Sequence, residues 1–111
     1  MSGSNGGGSN GGGNGTPPTP CDSLTLTTQI SSPRADVVNR ISVSDILDVG
    51  IERQGQQTVV VVRLGNEVAG GIASPQVPQL RDCIESGHQY SAEVLSKNEG
   101  QVRIRVRARV G

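Results

Sequence analysis

In residues 101–110, aliphatic side chains alternate with polar ones, and four of the five polar residues are arginine. A period of two predicts a β-strand with one buried aliphatic face and one face of guanidinium groups. At a rise of about 3.3 Å per residue, the four arginines would extend over roughly 20 Å. These four residues are called the arginine ladder: Arg103, Arg105, Arg107 and Arg109.

A row of guanidinium groups suits the phosphate oxygens of DNA or RNA, because such contacts hold the nucleic-acid backbone without reading its bases. We therefore predict that the arginine ladder, with Lys97 before it, binds nucleic-acid backbone. Two alternatives are open. The arginines could pair with acidic side chains on neighbouring strands, for which Glu93, Asp48 and Glu52 are candidates. They could also keep an edge strand from pairing with another molecule.

The shortage of aromatic residues limits which nucleic acids suit the ladder. Tyr90 is the only aromatic residue, since the chain has no Phe and no Trp. Proteins that bind single strands usually stack bases on aromatic rings. Because the strand pattern places Tyr90 on a buried face, single strands are a less suitable partner than the ladder alone suggests. The core is left mainly to Val, Ile, Leu and Ala.

The remaining candidates for chemistry are Cys21, Cys83 and His88. A structural zinc site needs four ligands at suitable spacing, so no metal site is predicted. Cys83 and His88 could form a nucleophilic pair, but Cys83 lies on the apolar side of a predicted helix and is better explained as a buried structural cysteine. The sequence has no glycine-rich phosphate loop, nucleophile elbow or clustered carboxylates. We predict a protein that is not an enzyme and has no cofactor or small-molecule substrate.

The cysteines also bear on the compartment. Two cysteines far apart in sequence do not form a disulfide framework, no secretory apolar segment precedes them, and no apolar run is long enough to cross a bilayer. We predict a cytoplasmic protein without a membrane segment, in which Cys21 and Cys83 are reduced thiols. A disulfide between them is the less favoured alternative.

Charge is balanced over the whole chain but not along it. Ten basic and ten acidic residues give a net charge of zero. Residues 97–111 hold five basic groups and one acidic group, and residues 21–96 hold five basic and nine acidic groups, so the two stretches carry +4 and −4. A neutral total argues against non-specific coating of nucleic acid. The split supports a second hypothesis, in which the chain is a protein–protein interaction or self-assembly module with no role in nucleic-acid binding.

The composition divides the chain into a tail and one domain. We predict that residues 1–20, which are rich in Gly, Ser and Asn, form a disordered tail that ends in a proline-rich spacer at residues 16–20. Residues 21–111 form a single β-rich domain. Runs of alternating polarity predict six strands, over residues 24–28, 46–53, 57–64, 67–73, 88–97 and 101–110.

The connections between these strands predict the fold class. The third strand is apolar on both faces at Val59–Val62 and should be central, and Gly70-Gly71 suggests a bulge, a bend or the close approach of another backbone. A helix should run from Ser74-Pro75 to Gly87, and residues 37–43 form an irregular or one-turn helical connection. Six short strands, mostly joined by hairpins, predict a mainly β fold with one short helix, closed into a small barrel or a strongly curled sheet.

The last hairpin gives a register that can be tested. A three-residue loop over residues 98–100, with Gly100 in the left-handed conformation, pairs positions whose numbers sum to 198. Glu93 then lies opposite Arg105 on the outer face. The inward pairs are all apolar, with Tyr90 opposite Ala108, Ala92 opposite Val106 and Val94 opposite Ile104.

Residues 66–106 resemble the second half of a HIRAN domain. The resemblance is carried by Glu67-Val68-Ala69-Gly70-Gly71-Ile72-Ala73-Ser74-Pro75, by Leu80, by Ile84-Glu85-Ser86-Gly87, and by the strand from Tyr90. It implies a small β-barrel associated with DNA ends and single strands. The Arg-x-Pro-x-Asn-Pro-Tyr-Asp-like loop of that family's first half has no counterpart in this sequence.

Overall fold

A computed structural model describes residues 20–109 of the chain, and the six predicted strands are confirmed within it. All neighbouring strands are antiparallel, and they close into a barrel in the order β1-β4-β3-β2-β5-β6, with β6 pairing back onto β1. The mainly β barrel predicted from the sequence is therefore confirmed. The strands are β1 (Thr25–Ser31), β2 (Ile46–Gln54), β3 (Gln57–Leu64), β4 (Glu67–Ile72), β5 (Tyr90–Asn98) and β6 (Gln101–Ala108).

The core is aliphatic apart from Tyr90, in line with the composition. Alternate residues of β5 as far as Val94, and of β6 from Val102 to Val106, point inward: Tyr90, Ala92, Val94, Val102, Ile104 and Val106 are at most 1% exposed. β3 is buried on both faces at Val60–Val62, as its apolar run indicated, although in a closed barrel every strand has two neighbours and none is central. Transfer of such side chains from water supplies the main driving force for closure of the barrel.

The β5–β6 hairpin has the predicted register from Tyr90 to Val94, but its loop differs from the prediction. Tyr90, Ala92, Glu93 and Val94 lie opposite the expected partners on β6. The loop, however, has two residues rather than three, since Asn98 pairs with Gln101, and Glu99 and Gly100 both have positive φ. A bulge at Leu95 inserts one extra residue on β5 and restores the pairing. The prediction of the left-handed Gly100 is confirmed, and that of a three-residue loop is wrong.

β1 and β4 form a short seam that closes the barrel. They pair at only two positions, Ile30 with Ile72 and Ser31 with Gly71. Gly70 lies so close to β1 that a Cβ atom built on it would be 2.7 Å from the Ser31 carbonyl oxygen. β4 also has a bulge at Ala69, whose carbonyl accepts a hydrogen bond of 2.8 Å from the amide of Arg34. The double glycine therefore marks both a bulge and a close backbone approach, as the sequence suggested.

The structure has two α-helices where the sequence predicted one helix and a connection that was irregular or one-turn helical. α1 (Ala35–Val38) is that connection, and it buries Val37 and Val38. α2 (Val77–Glu85) begins three residues after the predicted Ser74, because Ser74 accepts a hydrogen bond from the Gln76 amide in the turn before the helix. Pro78 then falls in the first turn, where its missing amide costs nothing.

The end of α2 agrees with the prediction. Gly87 has a φ of 105°, a region that favours glycine, and its amide donates to the Ile84 carbonyl. The amide of His88 donates to the Cys83 carbonyl, which completes a Schellman motif. The exposed His88 begins the short link to β5.

The prediction of two reduced thiols is wrong in this structure. Cys21 and Cys83 form a disulfide with their Cα atoms 5.6 Å apart. Cys21 lies in a 3₁₀ turn (Cys21–Ser23) directly before β1, and Cys83 lies on the buried face of α2. The two are 62 residues apart in sequence, so their proximity depends on barrel closure and could not be inferred from local pattern.

Some predictions concern residues that the structure does not describe. The tail and most of the proline spacer fall in residues 1–19, and the predicted end of the last strand falls on Val110. These predictions lie outside the described residues.

Candidate functional site

The arginine ladder lies on the outer face of the barrel, as the alternation predicted. Arg103, Arg105 and Arg107 project from β6 between buried aliphatic residues. Arg109 follows the end of the strand, where its backbone amide donates to the Gln89 carbonyl at 2.8 Å. The four guanidinium groups therefore belong to one exposed surface held by a paired strand.

Glu93 of β5 lies between two ladder arginines. Its Oε1 atom is 3.7 Å from Nη1 of Arg105 and 3.3 Å from Nη2 of Arg107. The pairing of Glu93 with Arg105 was one of the alternatives drawn from the sequence, and the contact with Arg107 is an addition. Both arginine side chains remain about half exposed, at 42% and 58%.

Arg109 and Asp48 form a second pair at the end of the ladder. Nη1 of Arg109 is 3.4 Å from Oδ1 of Asp48, and both side chains are more than half exposed. Glu52, the other acidic candidate on β2, instead pairs with Arg63 of β3 at 3.3 Å. Arg63 also donates to the Ile51 carbonyl, so its guanidinium is folded over β2.

Arg103 differs from the other three arginines. Within residues 20–109 it has neither an ion pair nor a side-chain hydrogen bond. Its outward neighbours are Gln29 on β1 and Ser96 on β5, which are neutral. Arg103 is therefore the ladder residue best placed to accept a new anionic partner.

Lys97 does not belong to the same surface. The bulge at Leu95 pairs Lys97 with Val102, whose side chain is buried, so the lysine turns toward the inner face at the end of the barrel. Its ammonium group donates to the Ile41 carbonyl at 2.9 Å. The structure thus brings the four arginines together and gives Lys97 a local structural contact.

The electrostatics of the surface leave an excess of positive charge. Four guanidinium groups face two carboxylates, those of Glu93 and Asp48. Ion pairs between exposed side chains are worth only about 0–1 kcal/mol, because water and salt screen them. A phosphate with several oxygens can compete with such carboxylates for the same N–H groups.

Sequence reasoning missed the residues on the other side of the ladder. β1 places Thr25 opposite Arg107, Thr27 opposite Arg105 and Gln29 opposite Arg103, and all three are exposed. The signal available in the sequence was the Thr-rich alternation of β1. Only the closure of the barrel, which pairs the first and last strands, could place these side chains beside the arginines.

The single aromatic ring is unavailable at this surface. Tyr90 is 1% exposed, and its hydroxyl donates to the Cys21 carbonyl. Burial, followed by the charge of Asp22, raises the pKa of the Tyr90 phenol above its usual value. Tyr90 therefore serves the core and the disulfide-bearing turn, as its predicted position on the buried face implied.

No family model, curated protein or solved structure matches the chain. Any function must therefore be argued from the side chains themselves. Among residues 20–109, no group of three or more His, Cys, Asp or Glu side chains could hold a metal ion. In the same part of the chain, neither helix is long and apolar enough to cross a membrane.

A groove of about 640 Å³ opens at the Arg109 end of the ladder. Its lining includes His88, Asn66 and Arg109. The guanidinium groups near it are already directed to carboxylates, Arg63 to Glu52 and Arg109 to Asp48. The β6 face, in contrast, has a guanidinium that is directed to no carboxylate within residues 20–109, that of Arg103.

Proposed function

We propose that the protein binds the phosphate backbone of nucleic acid through the arginine ladder, without enzymatic activity. The observation that carries this proposal is the row of exposed guanidinium groups on one paired strand, with Arg103 uncommitted among the described residues. Contacts of this kind position a nucleic acid without reading its sequence. Lys97 is left out of the proposed site, because its ammonium group is bound to a backbone carbonyl.

The surroundings of the ladder support the proposal. The ion pairs of Arg105, Arg107 and Arg109 are exposed and bridge distances of 3.3–3.7 Å, so their loss on binding costs little. Neutral hydroxyl and amide side chains line the β1 side of the arginines. The HIRAN-like assignment of residues 66–106 is part of the proposal, since that family is associated with DNA.

The direct test is fluorescence anisotropy with labelled oligonucleotides at low and moderate salt. The variant Arg105→Ser/Arg107→Ser should lose most of the affinity, because both removed groups face the same outer surface. A matched control is Arg40→Ser/Arg53→Ser, which removes the same charge from exposed positions elsewhere. Arg40 is also half exposed and paired with a glutamate, at 2.8 Å from Glu67. Equal losses in both variants, or no binding by the wild type at low salt, would overturn the proposal.

A second candidate function is protein association, and one observation favours it. Val43 and Ile46 are 53% and 64% exposed, although both are aliphatic. Ile46 lies beside Glu93 on the outer face, next to the ladder. Arginine is enriched at protein interfaces, and the buried centres of interfaces are more apolar than the rest of the surface. Sedimentation or light scattering over a range of concentrations tests this function, and a mass that rises with concentration and falls for Ile46→Ser would favour it.

The cytoplasmic location predicted from the sequence depended on reduced thiols, and the disulfide changes that argument. Disulfides persist mainly in oxidising compartments, and those of cytosolic proteins are usually transient or redox-sensing. For a cytoplasmic protein that binds nucleic acid, we propose that Cys21 and Cys83 exchange between the disulfide and thiols. Trapping of thiols in the native cell, followed by mass spectrometry, tests this. A fully oxidised pair would contradict a cytoplasmic location.

A further inference from the structure

We infer that the partner of the arginine ladder is double-stranded nucleic acid, with one of its phosphate backbones lying along the outer face of the paired strands β1 and β6. This inference rests on the proposed function and names its partner class. It also adds three binding residues that the ladder alone does not include: Thr25, Thr27 and Gln29.

The pairing of β1 with β6 sets the geometry of the surface on which the phosphate backbone would lie. This surface, made of the outward residues of the two strands, is called the track. Each outward arginine of β6 has one outward polar residue directly across on β1: Arg107 has Thr25, Arg105 has Thr27 and Arg103 has Gln29. Side chains directly opposite on antiparallel strands have Cβ atoms about 4.5–5.5 Å apart. A phosphate can therefore accept from a guanidinium and from a hydroxyl or amide group at the same level of the track. The two rows form a surface two strands wide and three levels long.

The two sides of the ladder differ in charge, which selects the side that the backbone follows. On the β5 side, Glu93 lies within 3.7 Å of two guanidinium groups, and Asp48 lies beyond it. A phosphate placed there would meet a carboxylate. The β1 side has no charged residue between Thr25 and Ser31. Repulsion by the two carboxylates therefore directs a polyanion to the β1 side.

The availability of aromatic rings decides between single-stranded and double-stranded nucleic acid as the partner. Binding of single strands depends on aromatic rings that stack on exposed bases. The chain has one aromatic residue, and Tyr90 is buried with its hydroxyl bound to Cys21. A duplex keeps its bases stacked on one another and presents only phosphates and sugars to a protein that does not enter its grooves. The track therefore fits the outside of a duplex and offers nothing to an unstacked base.

The test compares a labelled duplex with each of its separated strands, under the same salt and with the full-length protein. We expect the duplex to bind about tenfold more tightly than either strand. Thr25→Val/Thr27→Val should weaken duplex binding by about tenfold, because two hydroxyl donors to charged phosphates are lost while strand propensity is kept. Ser91→Ala on the β5 side, opposite Arg107, is the matched control and should leave the affinity unchanged. Far-UV circular dichroism and the thermal midpoint verify that each variant is folded.

The outcomes separate this inference from the proposed function. Binding of single strands as tight as or tighter than that of the duplex would overturn the partner class while leaving the backbone function intact. Equal duplex affinity for Thr25→Val/Thr27→Val and the wild type would overturn the assignment of the β1 row. Absence of binding to any oligonucleotide at low salt would overturn the proposed function itself.

Discussion

The seam between β1 and β4 and the hairpin of β5 and β6 hold the barrel in different ways. The hairpin strands pair at eight positions, and their outward side chains are mainly polar and exposed or half-buried. The seam pairs at two positions and depends on a close glycine contact. The Cys21–Cys83 bond ties the turn before β1 to α2. Stability is therefore more sensitive to change near the seam, and binding to change on the hairpin.

This difference predicts two classes of variant. Changes at the seam or its disulfide should lower the free energy of unfolding and leave the affinity per folded molecule unchanged. Changes on the outer face of β6 should alter affinity with little effect on stability, because exposed substitutions are usually within about 0.5 kcal/mol of neutral.

Removal of the disulfide should have the largest effect on stability. Cys21→Ser/Cys83→Ser opens a covalent loop between positions 62 residues apart, for which chain entropy predicts a loss of about 4 kcal/mol. Urea unfolding of the variant and of the wild type, with and without reductant, measures this loss. Reductant should destabilise the wild type and leave the variant unchanged. An unfolding midpoint that is the same for both proteins would contradict the role given to the bond.

Gly70→Ala should destabilise the seam by about 1–3 kcal/mol, because its Cβ would be 2.7 Å from the backbone oxygen of Ser31. Gly71→Ala is the matched control, since the nearest atom to its Cβ is the Val60 carbonyl oxygen at 3.6 Å, an ordinary contact. Thermal unfolding of the two variants compares them directly. Similar midpoints for both would show that the seam is not tightly packed.

Tyr90 should make stability depend on alkaline pH. Burial raises the pKa of its phenol above the ordinary value of 10.0, so the folded state holds the proton more strongly than the unfolded state. The resulting stabilisation is complete below pH 10 and is lost as the pH rises through the raised pKa. Urea unfolding between pH 8 and about 11.5 should show this decline in the wild type but not in Tyr90→Phe. An equal decline in both proteins would contradict it.

Glu93→Gln should have the smallest effect on stability and should raise nucleic-acid affinity. The change removes two ion pairs, worth about 0–1 kcal/mol each, and frees Arg105 and Arg107 from an intramolecular competitor. Glu67→Gln is the control, because it removes an exposed carboxylate that pairs with Arg40 outside the ladder. Anisotropy titrations should show tighter binding for the first variant than for the second. The reverse order would contradict the assignment of the ladder as the binding surface.

Local pattern was sufficient for the parts of the fold that depend on neighbouring residues. The alternation of residues 101–110 predicted β6 and its outer arginines, and the left-handed glycines at 87 and 100 were also predicted. The bulge at Leu95 was not, because a two-residue turn with a bulge and a three-residue loop give the same apolar pairing beyond it. Local sequence does not distinguish these two hairpin structures.

The missed parts of the site depend on contacts between distant segments. The disulfide and the row of Thr25, Thr27 and Gln29 both arise because closure of the barrel brings the beginning of the domain to α2 and to β6. Lys97 was assigned to the ladder by its nearness in sequence. Its true direction follows from the bulge, which turns it toward the Ile41 carbonyl.

The salt dependence of duplex binding tests the central claim most directly. Each phosphate neutralised by the ladder contributes about 0.9 to the slope of log affinity against log salt concentration, so contacts from all four arginines predict a slope of about −3.6 for the wild type. Arg103→Ser/Arg105→Ser/Arg107→Ser should make the dependence shallower, with a slope between about −1 and zero. The same slope in both proteins would contradict the claim that the arginine ladder binds the nucleic-acid backbone.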